Sequence, residues 1–391
     1  MSGAKRRVIL LVDTARAYER GLVRGVLNYS HLHGPWTLLR RTPLASGGKS
    51  RVSPDDLANW DADGVIWRES DVSPDIGKLD IPCVYAPNTK VSSCYPNILT
   101  DDAAIGRMAV EHLLGLGYRH LAFYGLEQKY HWSNGRRLGF TGAAQGVADC
   151  TCAVYDLDSK RMRMDRAARQ RKLRDWLASQ PTPFGLMVCT DDCCVDCFEA
   201  CHNAGLRVPE DVAVVGVGND ELICDFVDPP LSSIYWNTEQ TGYDAAELLA
   251  GMMDGTIPRE GYDVCAEPLH VVRRQSTDIA APGDPHFAAA LRFIRDHATK
   301  NIHVEDVLRH VPVSRRVLYR RFKARLGRSI YAEIRRVRVD RASTFLIESN
   351  LPIHEIALKL GCEDSKNFSR LFRQEKKMSP AQYRKKYAVY R

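Results

Sequence analysis

The chain has 391 residues, of which 45% are hydrophobic and 26% are charged, as in ordinary globular proteins. This length exceeds that of one compact domain, so we expect two or three. No run approaches the roughly 18 apolar residues of a membrane span. The N-terminal apolar run, residues 8–12, is too short for a signal peptide, so we expect a cytoplasmic protein with no membrane partner.

Charge is distributed unevenly along the chain. Residues 287–391 hold 25 Lys and Arg against 10 Asp and Glu, whereas the remainder holds 30 against 38, which gives the net charge of +7. A strongly basic region beside an acidic remainder is typical of proteins that bind the phosphate backbone of nucleic acids. The alternative, a solvated helical face without a binding role, accounts less well for basic residues gathered on particular predicted helices.

Residues 1–278 alternate short apolar strands with amphipathic helices, which predicts an α/β sensor domain with parallel sheets. Such sheets bind ligands at the carboxyl ends of their strands. Those ends carry Asp, Asn, Arg and aromatic residues, with no phosphate-binding loop, nucleophile elbow or HExxH motif. We therefore expect a binding protein rather than an enzyme, with no cofactor. The predicted strands are 7–12, 64–67, 82–86, 120–124, 185–189 and 213–217, and the predicted helices are 19–30, 103–116, 136–148, 192–204 and 238–253.

Twelve cysteines occur without an export signal, so reduced thiols are expected. Cys193, Cys197 and Cys201 recur every four residues and therefore share one face of a predicted helix, beside Cys189 and Cys194. This spacing favours buried packing, because free cysteine behaves as a small hydrophobic residue. Metal or redox sensing by the 193–201 face stays open as an alternative, although no metal site is predicted.

The C-terminal part begins after a Pro/Gly linker at residues 279–286 and is helical throughout residues 287–391. It contains two helix-turn-helix motifs, at about 304–325 and 353–374, whose second helices are rich in Arg, Lys, Ser and Asn. Helices of this kind enter the DNA major groove, where Arg and Asn read base edges. Lys323, Arg325, Arg373 and Lys376 are expected to contact phosphate. The candidate base-reading residues are Arg315, Arg316, Tyr319, Arg320, Ser365, Lys366, Asn367 and Arg370.

Two stretches of sequence resemble known families. The runs RRFKARLGRSI (320–330), IHEIALKLG (353–361), NFSRLFRQ (367–374) and SPAQYR (379–384) closely resemble the DNA-binding domain of the AraC family. The runs at 100–125, 189–192, 205–222, 229–234 and 271–277 resemble the sugar-binding core of LacI-type repressors and periplasmic binding proteins. The implied fold is an α/β two-lobed periplasmic-binding-protein-like sensor followed by an all-α domain with two helix-turn-helix motifs.

This combination resembles the regulators of bacterial D-xylose operons. It implies a cytoplasmic, nucleoid-associated transcriptional activator that binds double-stranded operator repeats as a homodimer and contacts RNA polymerase. Binding of D-xylose between the lobes would change the dimer geometry. A regulator of another sugar, a carbohydrate-active enzyme and a transport receptor are the alternatives. By resemblance, the ligand-binding residues are Asp13, Tyr18, Arg20, Trp132, Arg136, Thr190, Asp191, Asn219 and Asp220.

Some of these residues also have purely structural interpretations. Asp101 and Asp191 could cap the helices that follow them, and Trp132 could belong to the core. Gly218 stands where the resemblance places a ligand-binding Asp. Either Asn219 or Asp220 takes that role, or the effector differs from D-xylose.

Overall fold

The computed structural model describes residues 5–40, 57–69, 79–278, 284–362 and 364–387. Contacts divide the chain into two units. The first unit contains Met1–Ala104, Leu126–Arg136 and Trp236–Pro268, and the second contains Ile105–Gly125, Arg137–Tyr235 and Leu269–Arg391. The strands are β1 (Arg7–Leu11), β2 (Thr37–Leu39), β3 (Gly64–Arg68), β4 (Cys83–Ala86), β5 (Ile98–Thr100), β6 (His120–Leu126), β7 (Thr151–Leu157), β8 (Phe184–Val188), β9 (Val212–Val217), β10 (Ser232–Trp236), β11 (Val264–Ala266) and β12 (Pro268–Val272).

The helices follow the same chain order. A 3₁₀ turn at Gln275–Thr277 follows β12 and precedes the helical C-terminal part. The helices are α1 (Ala17–His33), α2 (Asp102–Gly115), α3 (His131–Gln145), α4 (Ser159–Met162), α5 (Arg166–Ala178), α6 (Asp192–Asn203), α7 (Glu221–Phe226), α8 (Thr238–Met253), α9 (Pro285–Asp296), α10 (Val304–His310), α11 (Arg315–Leu326), α12 (Ile330–Glu348), α13 (Ile353–Lys359), α14 (Ser365–Lys376) and α15 (Pro380–Tyr387).

The first unit is built on a parallel four-stranded sheet in the order β2-β1-β3-β4. Its central strands are apolar on both faces because both faces are covered, as parallel sheets require. Val8, Leu10 and Val84 pack with Leu22 of α1 and Leu249 of α8, whereas Ile9, Val65 and Trp67 face a separate cluster. The loops after β1, β3 and β4 therefore lie at one edge of this sheet.

The second unit contains a six-stranded sheet in the order β12-β10-β9-β8-β6-β7. The pairs β6–β8, β8–β9 and β9–β10 are parallel. The loops that follow β8 and β9, residues 189–191 and 218–220, consequently adjoin at the carboxyl edge of neighbouring strands. This edge carries four of the residues predicted to bind ligand.

The helical part of the second unit has two apolar cores that share one helix. Phe287, Leu318 and Phe322 pack with Ile330 and Ile334 from the first half of α12. The second half of α12 packs instead with α13, α14 and α15, through Val339, Ala342, Leu346, Ile356, Phe368 and Phe372. Because α12 belongs to both cores, it fixes the two helix-turn-helix motifs relative to each other.

Every predicted strand and helix is present, with bounds that shift by a few residues. The sequence analysis missed β2, β5, β7 and β10–β12, which are short or contain polar residues. In β10, for example, Ser232 and Ser233 are fully buried because their hydroxyls are hydrogen-bonded. Of the predicted linker, residues 279–283 lie outside the described residues. Within the described part of the chain, no helix is long and apolar enough to cross a membrane.

Candidate ligand site and DNA-binding surface

An aromatic and charged cluster surrounds Arg136 in the first unit. The Arg136 guanidinium lies over the ring of Trp132 at 5.0 Å and over that of Trp236 at 4.9 Å. Its Nε donates to Asp102 Oδ1 at 2.9 Å, and the Arg136 side chain is only 5% exposed. Arg136 is therefore a buried side chain rather than an exposed surface charge, and two indole rings and the Asp102 carboxylate fix its orientation.

The Asp102 carboxylate is held from two sides. Thr100 Oγ1 donates to the same Oδ1 atom at 2.7 Å. Burial raises the pKa of Asp102, and the positive charge of Arg136 opposes this shift. Gly135 allows the approach of the two chain segments, since a Cβ there would overlap the Asp102 side chain. The ion pair thus joins the start of α2 to the second turn of α3.

A second ion pair lies beside this cluster. Arg68 Nη1 lies 3.0 Å from Glu19 Oε1, with both side chains less than 10% exposed, and its guanidinium lies over the Tyr18 ring at 5.2 Å. Tyr18 meets Trp236 edge to face. Burial raises the pKa of Tyr18 to about 12, so its hydroxyl stays protonated and can donate. Tyr18, one of the predicted ligand-binding residues, thus contacts Arg68 of the second ion pair and also Trp236, which packs against Arg136 of the first.

Among the residues that the structure describes, Glu19 Oε2 and Trp236 Nε1 are buried polar atoms of this cluster without a hydrogen-bond partner. Such atoms are costly unless a ligand or water satisfies them. Trp132 differs, because its Nε1 donates to Asn88 Oδ1 at 3.1 Å, and it is partly exposed rather than a plain core residue. The sequence analysis missed Glu19, Arg68 and Trp236. Of the three, only Glu19 could have been found from the sequence, because it lies in the run AYER at 17–20, beside the predicted residues Tyr18 and Arg20.

Asp13 and Arg20 organise the loop after β1. Asp13 Oδ1 accepts from the backbone nitrogens of Thr14 and Ala15, at 2.6 and 3.2 Å. Arg20 Nη1 donates to the carbonyl oxygens of the same two residues. Both side chains thus have partners within their own loop, and their ligand contacts stay a prediction.

The polar edge of the second unit is organised by Asp191. Its Oδ1 accepts from Ser233 Oγ at 2.7 Å, and its Oδ2 accepts from the Asp220 backbone nitrogen at 2.9 Å. Asp191 makes no side-chain cap for α6, so the capping interpretation is wrong. For Asp101 it is confirmed, because Asp101 Oδ1 accepts from Ala104 N at 2.8 Å. Thr190 is half-buried next to Asp191.

The conformation of the loop after β9 explains why glycine stands at position 218, where the resemblance places a ligand-binding Asp. Gly218 has φ 128° and Asn219 has φ 50°, a conformation that favours glycine and asparagine. A Cβ at position 218 would lie 3.1 Å from Asp191 Oδ2. Asn219 Oδ1 accepts from Arg274 Nη1 at 2.9 Å, whereas Asp220 is buried. A side chain at position 218 would therefore be strained in this tight turn, and Asn219 and Asp220 stay the candidates.

Asp191 gives a pH-dependent prediction. Burial raises its pKa from 3.8 to about 6, so the folded chain binds a proton that the unfolded chain has released between these values. The free energy of unfolding should therefore decrease as pH rises from about 4 to about 6. Asp191→Asn should remove this contribution, and the stability of the variant relative to the unmodified chain should rise over this window by about 3 kcal/mol. Urea unfolding at several pH values measures the difference, and a constant difference would contradict the assignment.

The cysteine cluster is buried. Cys189, Cys193, Cys194, Cys197 and Cys201 are all at most 9% exposed, and Cys189 Sγ lies 3.9 Å from Cys193 Sγ. Contact with Cys189 and burial raise the pKa of Cys193 well above its usual value, which disfavours the reactive thiolate. Among the described residues, no group of three or more His, Cys, Asp or Glu could hold a metal ion. The burial of these thiols favours the packing interpretation of this face.

The two predicted recognition helices present their polar residues outward. Ser314 caps α11 through the Val317 nitrogen, and Asp364 caps α14 through the Lys366 nitrogen. Tyr319 is half-buried, and Arg370 donates to Asn367 Oδ1 at 3.2 Å. The exposed residues are Arg315, Arg316, Arg320, Lys323, Ser365, Lys366, Asn367, Arg370 and Arg373.

Two expected phosphate contacts have other partners. Lys376 Nζ lies 3.0 Å from Asp340 Oδ1, and burial together with this pair gives it a structural role. The Arg325 guanidinium lies over the Phe287 ring at 5.6 Å. Both side chains thus have partners within the helical part of the chain, and their phosphate contacts stay a prediction.

Comparisons with known proteins agree with this arrangement. A periplasmic binding protein-like domain matches residues 110–277, and a helix-turn-helix domain matches residues 307–386. The xylose operon regulatory protein of Haemophilus influenzae is 32% identical over 293 residues, which cover 74% of this chain and 75% of that protein. The chain belongs to the family of xylose operon regulatory proteins.

Other members of this family match nearly end to end. The xylose operon regulatory protein of Escherichia coli strain K12 is 29% identical over 390 residues, 97% of each chain. A solved structure of the xylose-binding transcription activator xylR has a TM-score of 0.60 at 29% identity, and covers 99% of this chain and 100% of that one. The predicted architecture is confirmed: a periplasmic-binding-protein-like sensor precedes a helix-turn-helix domain. As a member of this family, the chain is a transcription regulator.

Proposed function

We propose that this regulator binds a pentose, D-xylose, and activates genes for its use. The observation that carries the proposal is the cluster in the first unit, where two indoles flank Arg136 beside two unsatisfied buried polar atoms. A pyranose offers hydroxyls along its edge and apolar C–H faces, which match such donors, acceptors and rings. The names of the related proteins support D-xylose as the effector.

The proposed ligand residues fall into two groups. In the first unit, Tyr18, Glu19, Arg68, Trp132, Arg136 and Trp236 contact the sugar, with Asp13 and Arg20 shaping the adjoining loop. In the second unit, Thr190, Asn219 and Asp220 are the candidate sugar-binding residues, and Asp191 fixes the loop after β9. The sensor holds the sugar without converting it. The domain bounds 1–278 and 287–391 are part of this proposal.

A sugar panel tests the effector. D-xylose should raise the melting temperature of the full chain and change its tryptophan fluorescence, whereas L-arabinose, D-ribose and D-glucose should do so weakly. Trp236→Phe keeps the ring but removes the unpartnered Nε1, so D-xylose affinity should fall about tenfold, the effect of one lost hydrogen bond. Trp176→Phe, in α5 of the second unit, is the matched control. If another sugar gives the larger shift, the effector is wrong; if none does, the ligand class is wrong.

On DNA, the proposed regulator acts as a homodimer in the cytoplasm, on repeated operator sites, and contacts RNA polymerase. The two recognition helices would lie in successive major grooves, because α12, with 19 residues, spans about 28 Å. Arg315, Arg316, Tyr319 and Arg320 read bases from α11. Ser365, Lys366, Asn367 and Arg370 read them from α14, and Lys323 and Arg373 contact phosphate.

Base reading and phosphate binding predict different mutant behaviour. Arg316→Ala or Asn367→Ala should cost about 1–3 kcal/mol on the preferred duplex and relax the preference at one position. Lys323→Ala should weaken binding to all sequences alike and reduce the slope of log K against log salt by about 1. Selection from a random duplex pool and titrations at several salt concentrations separate the two. A uniform loss for Arg316→Ala would make it a phosphate contact.

A further inference from the structure

A buried run of hydrogen bonds crosses the second unit from the loop after β9. Asn219 Oδ1 accepts from Arg274 Nη1, and the Arg274 backbone nitrogen donates to Ser232 Oγ at 2.8 Å. Ser232 Oγ lies 2.7 Å from Thr277 Oγ1, which lies 3.1 Å from His112 Nε2. Ser232, Thr277 and His112 are at most 7% exposed. The run is therefore shielded from water over most of its length.

Its donors and acceptors form one consistent order. Ser232 Oγ donates to the Arg274 carbonyl oxygen at 3.0 Å, which leaves Thr277 to donate to Ser232 and His112 to donate to Thr277. Burial, and then the positive charges of Arg273, Arg295 and Arg336, lower the pKa of His112 well below its usual value. His112 is thus neutral with its proton on Nε2. From His112 through Thr277 and Ser232 to the Arg274 carbonyl oxygen, the hydrogen bonds run head to tail and polarise one another, and the Arg274 side chain joins this series to Asn219.

The far end of this run faces the helical part of the chain. Arg295 belongs to α9 and Arg336 to α12, and Arg336 pairs with the fully buried carboxylate of Glu333 at 2.7 Å. Arg295 also lies 3.9 Å from Asp278, one residue after the 3₁₀ turn that contains Thr277. Asp278, which follows Thr277 of the run, thus contacts α9 through Arg295. Of the cations that lower the pKa of His112, Arg336 lies on α12.

Further contacts join the six-stranded sheet to both helix-turn-helix motifs. Arg119, just before β6, donates from Nη2 to the carbonyl oxygen of Arg325 at the end of α11, at 2.8 Å. Leu269 of β12 and Tyr235 of β10 belong to the apolar core around the second half of α12. The DNA-reading helices are thus docked on the sheet through polar contacts at one motif and apolar contacts at the other.

We propose that this docked interface transmits sugar occupancy at the loop after β9 to α12 and so to both DNA-reading helices. The signal would reach the interface through the run formed by Asn219, Arg274, Ser232, Thr277 and His112. The inference rests on the proposed function in one respect, that a sugar is what perturbs Asn219. An apolar interface would hold the helices equally well. A directional hydrogen-bonded run, in contrast, makes their position depend on the geometry of the loop, and the dependence is reciprocal between sugar and DNA.

Thr277→Val tests the run, because valine keeps the shape of threonine and removes the hydroxyl that joins Ser232 to His112. Arg119→Met tests the docking at a partly exposed position, because methionine keeps the apolar part of the side chain and removes the donor to Arg325. Thr141→Val is the matched control, because the Thr141 hydroxyl donates to carbonyl oxygens of its own helix, α3. The readout is the ratio of duplex affinities with and without D-xylose, measured on the full chain with a duplex that the unmodified chain selects from a random pool.

Both variants should reduce this ratio at least about fivefold, while D-xylose affinity without DNA stays within about twofold of that of the unmodified chain. Ratios unchanged in both variants would overturn the proposal. If the unmodified chain itself ignores D-xylose, the proposed function fails, and hydrogen exchange still tests the interface. Amides of α11 and α12 should then exchange faster in both variants than in Thr141→Val. Equal exchange would overturn the docking.

Discussion

Replacing Arg136 with alanine should abolish the response to D-xylose and lower the free energy of unfolding by about 3–5 kcal/mol. The stability loss follows because Asp102 would stay buried without its cation. The loss of sugar binding follows because the guanidinium orients both indoles, and a hydrogen bond to a charged group contributes enough for about a 100-fold change in affinity. Binding to DNA without sugar should persist, since both recognition helices belong to the second unit.

Two further variants separate the structural role of Arg136 from its binding role. In the double variant Arg136→Ala with Asp102→Asn, the buried carboxylate charge is gone, so stability should partly return while sugar affinity stays low. Arg163→Ala changes an exposed arginine and should leave both quantities unaffected. Calorimetric titration with D-xylose and urea unfolding measure them. A folded Arg136→Ala chain with normal sugar affinity would show that the ligand lies elsewhere.

Replacing Gly25 with alanine should destabilise the first unit by about 3 kcal/mol, which corresponds to a fall in melting temperature of about 10 °C. A Cβ at Gly25 would overlap the Glu239 carbonyl oxygen and the Tyr243 backbone nitrogen of α8. The opposing Gly242 is equally close to Leu22 of α1. Because backbone atoms cannot move aside as a side chain can, α1 and α8 would have to separate.

Gly142→Ala is the matched control for this prediction. Gly142 lies in α3, and nothing stands within 4 Å of a Cβ added there. Alanine should therefore keep or raise stability, by up to about 1 kcal/mol from helix propensity. Circular dichroism melting curves compare the two variants. Equal melting temperatures for Gly25→Ala and Gly142→Ala would mean that the close approach of α1 and α8 is not needed for folding.

Several residues of the ligand cluster could be predicted from the sequence, but Arg68 and Trp236, which complete the cluster, could not. Arg136 and Trp132 stand four residues apart on one helix face, and Tyr18 and Glu19 adjoin in AYER. Trp236 is the last residue of β10, a strand that the sequence analysis missed because polar residues such as its two serines argue against a buried strand unless their partners are known. Arg68 ends a strand that was predicted, yet only its pairing with Glu19, 49 positions earlier, brings it into the cluster.

The sequence by itself determined six of the strands and the main helices in their order, the two helix-turn-helix motifs and the outward placement of most of their basic residues. These follow from hydrophobic periodicity, capping residues and charge, which act over a few neighbouring positions. Only the tertiary structure decided that Asp191 accepts hydrogen bonds from the β9 loop rather than capping α6, and that Lys376 pairs with Asp340. It also decided which buried polar atoms are left for a ligand. Those outcomes depend on which distant groups meet, because hydrogen bonds and desolvation act only at contact, and chain folding brings the contacts together.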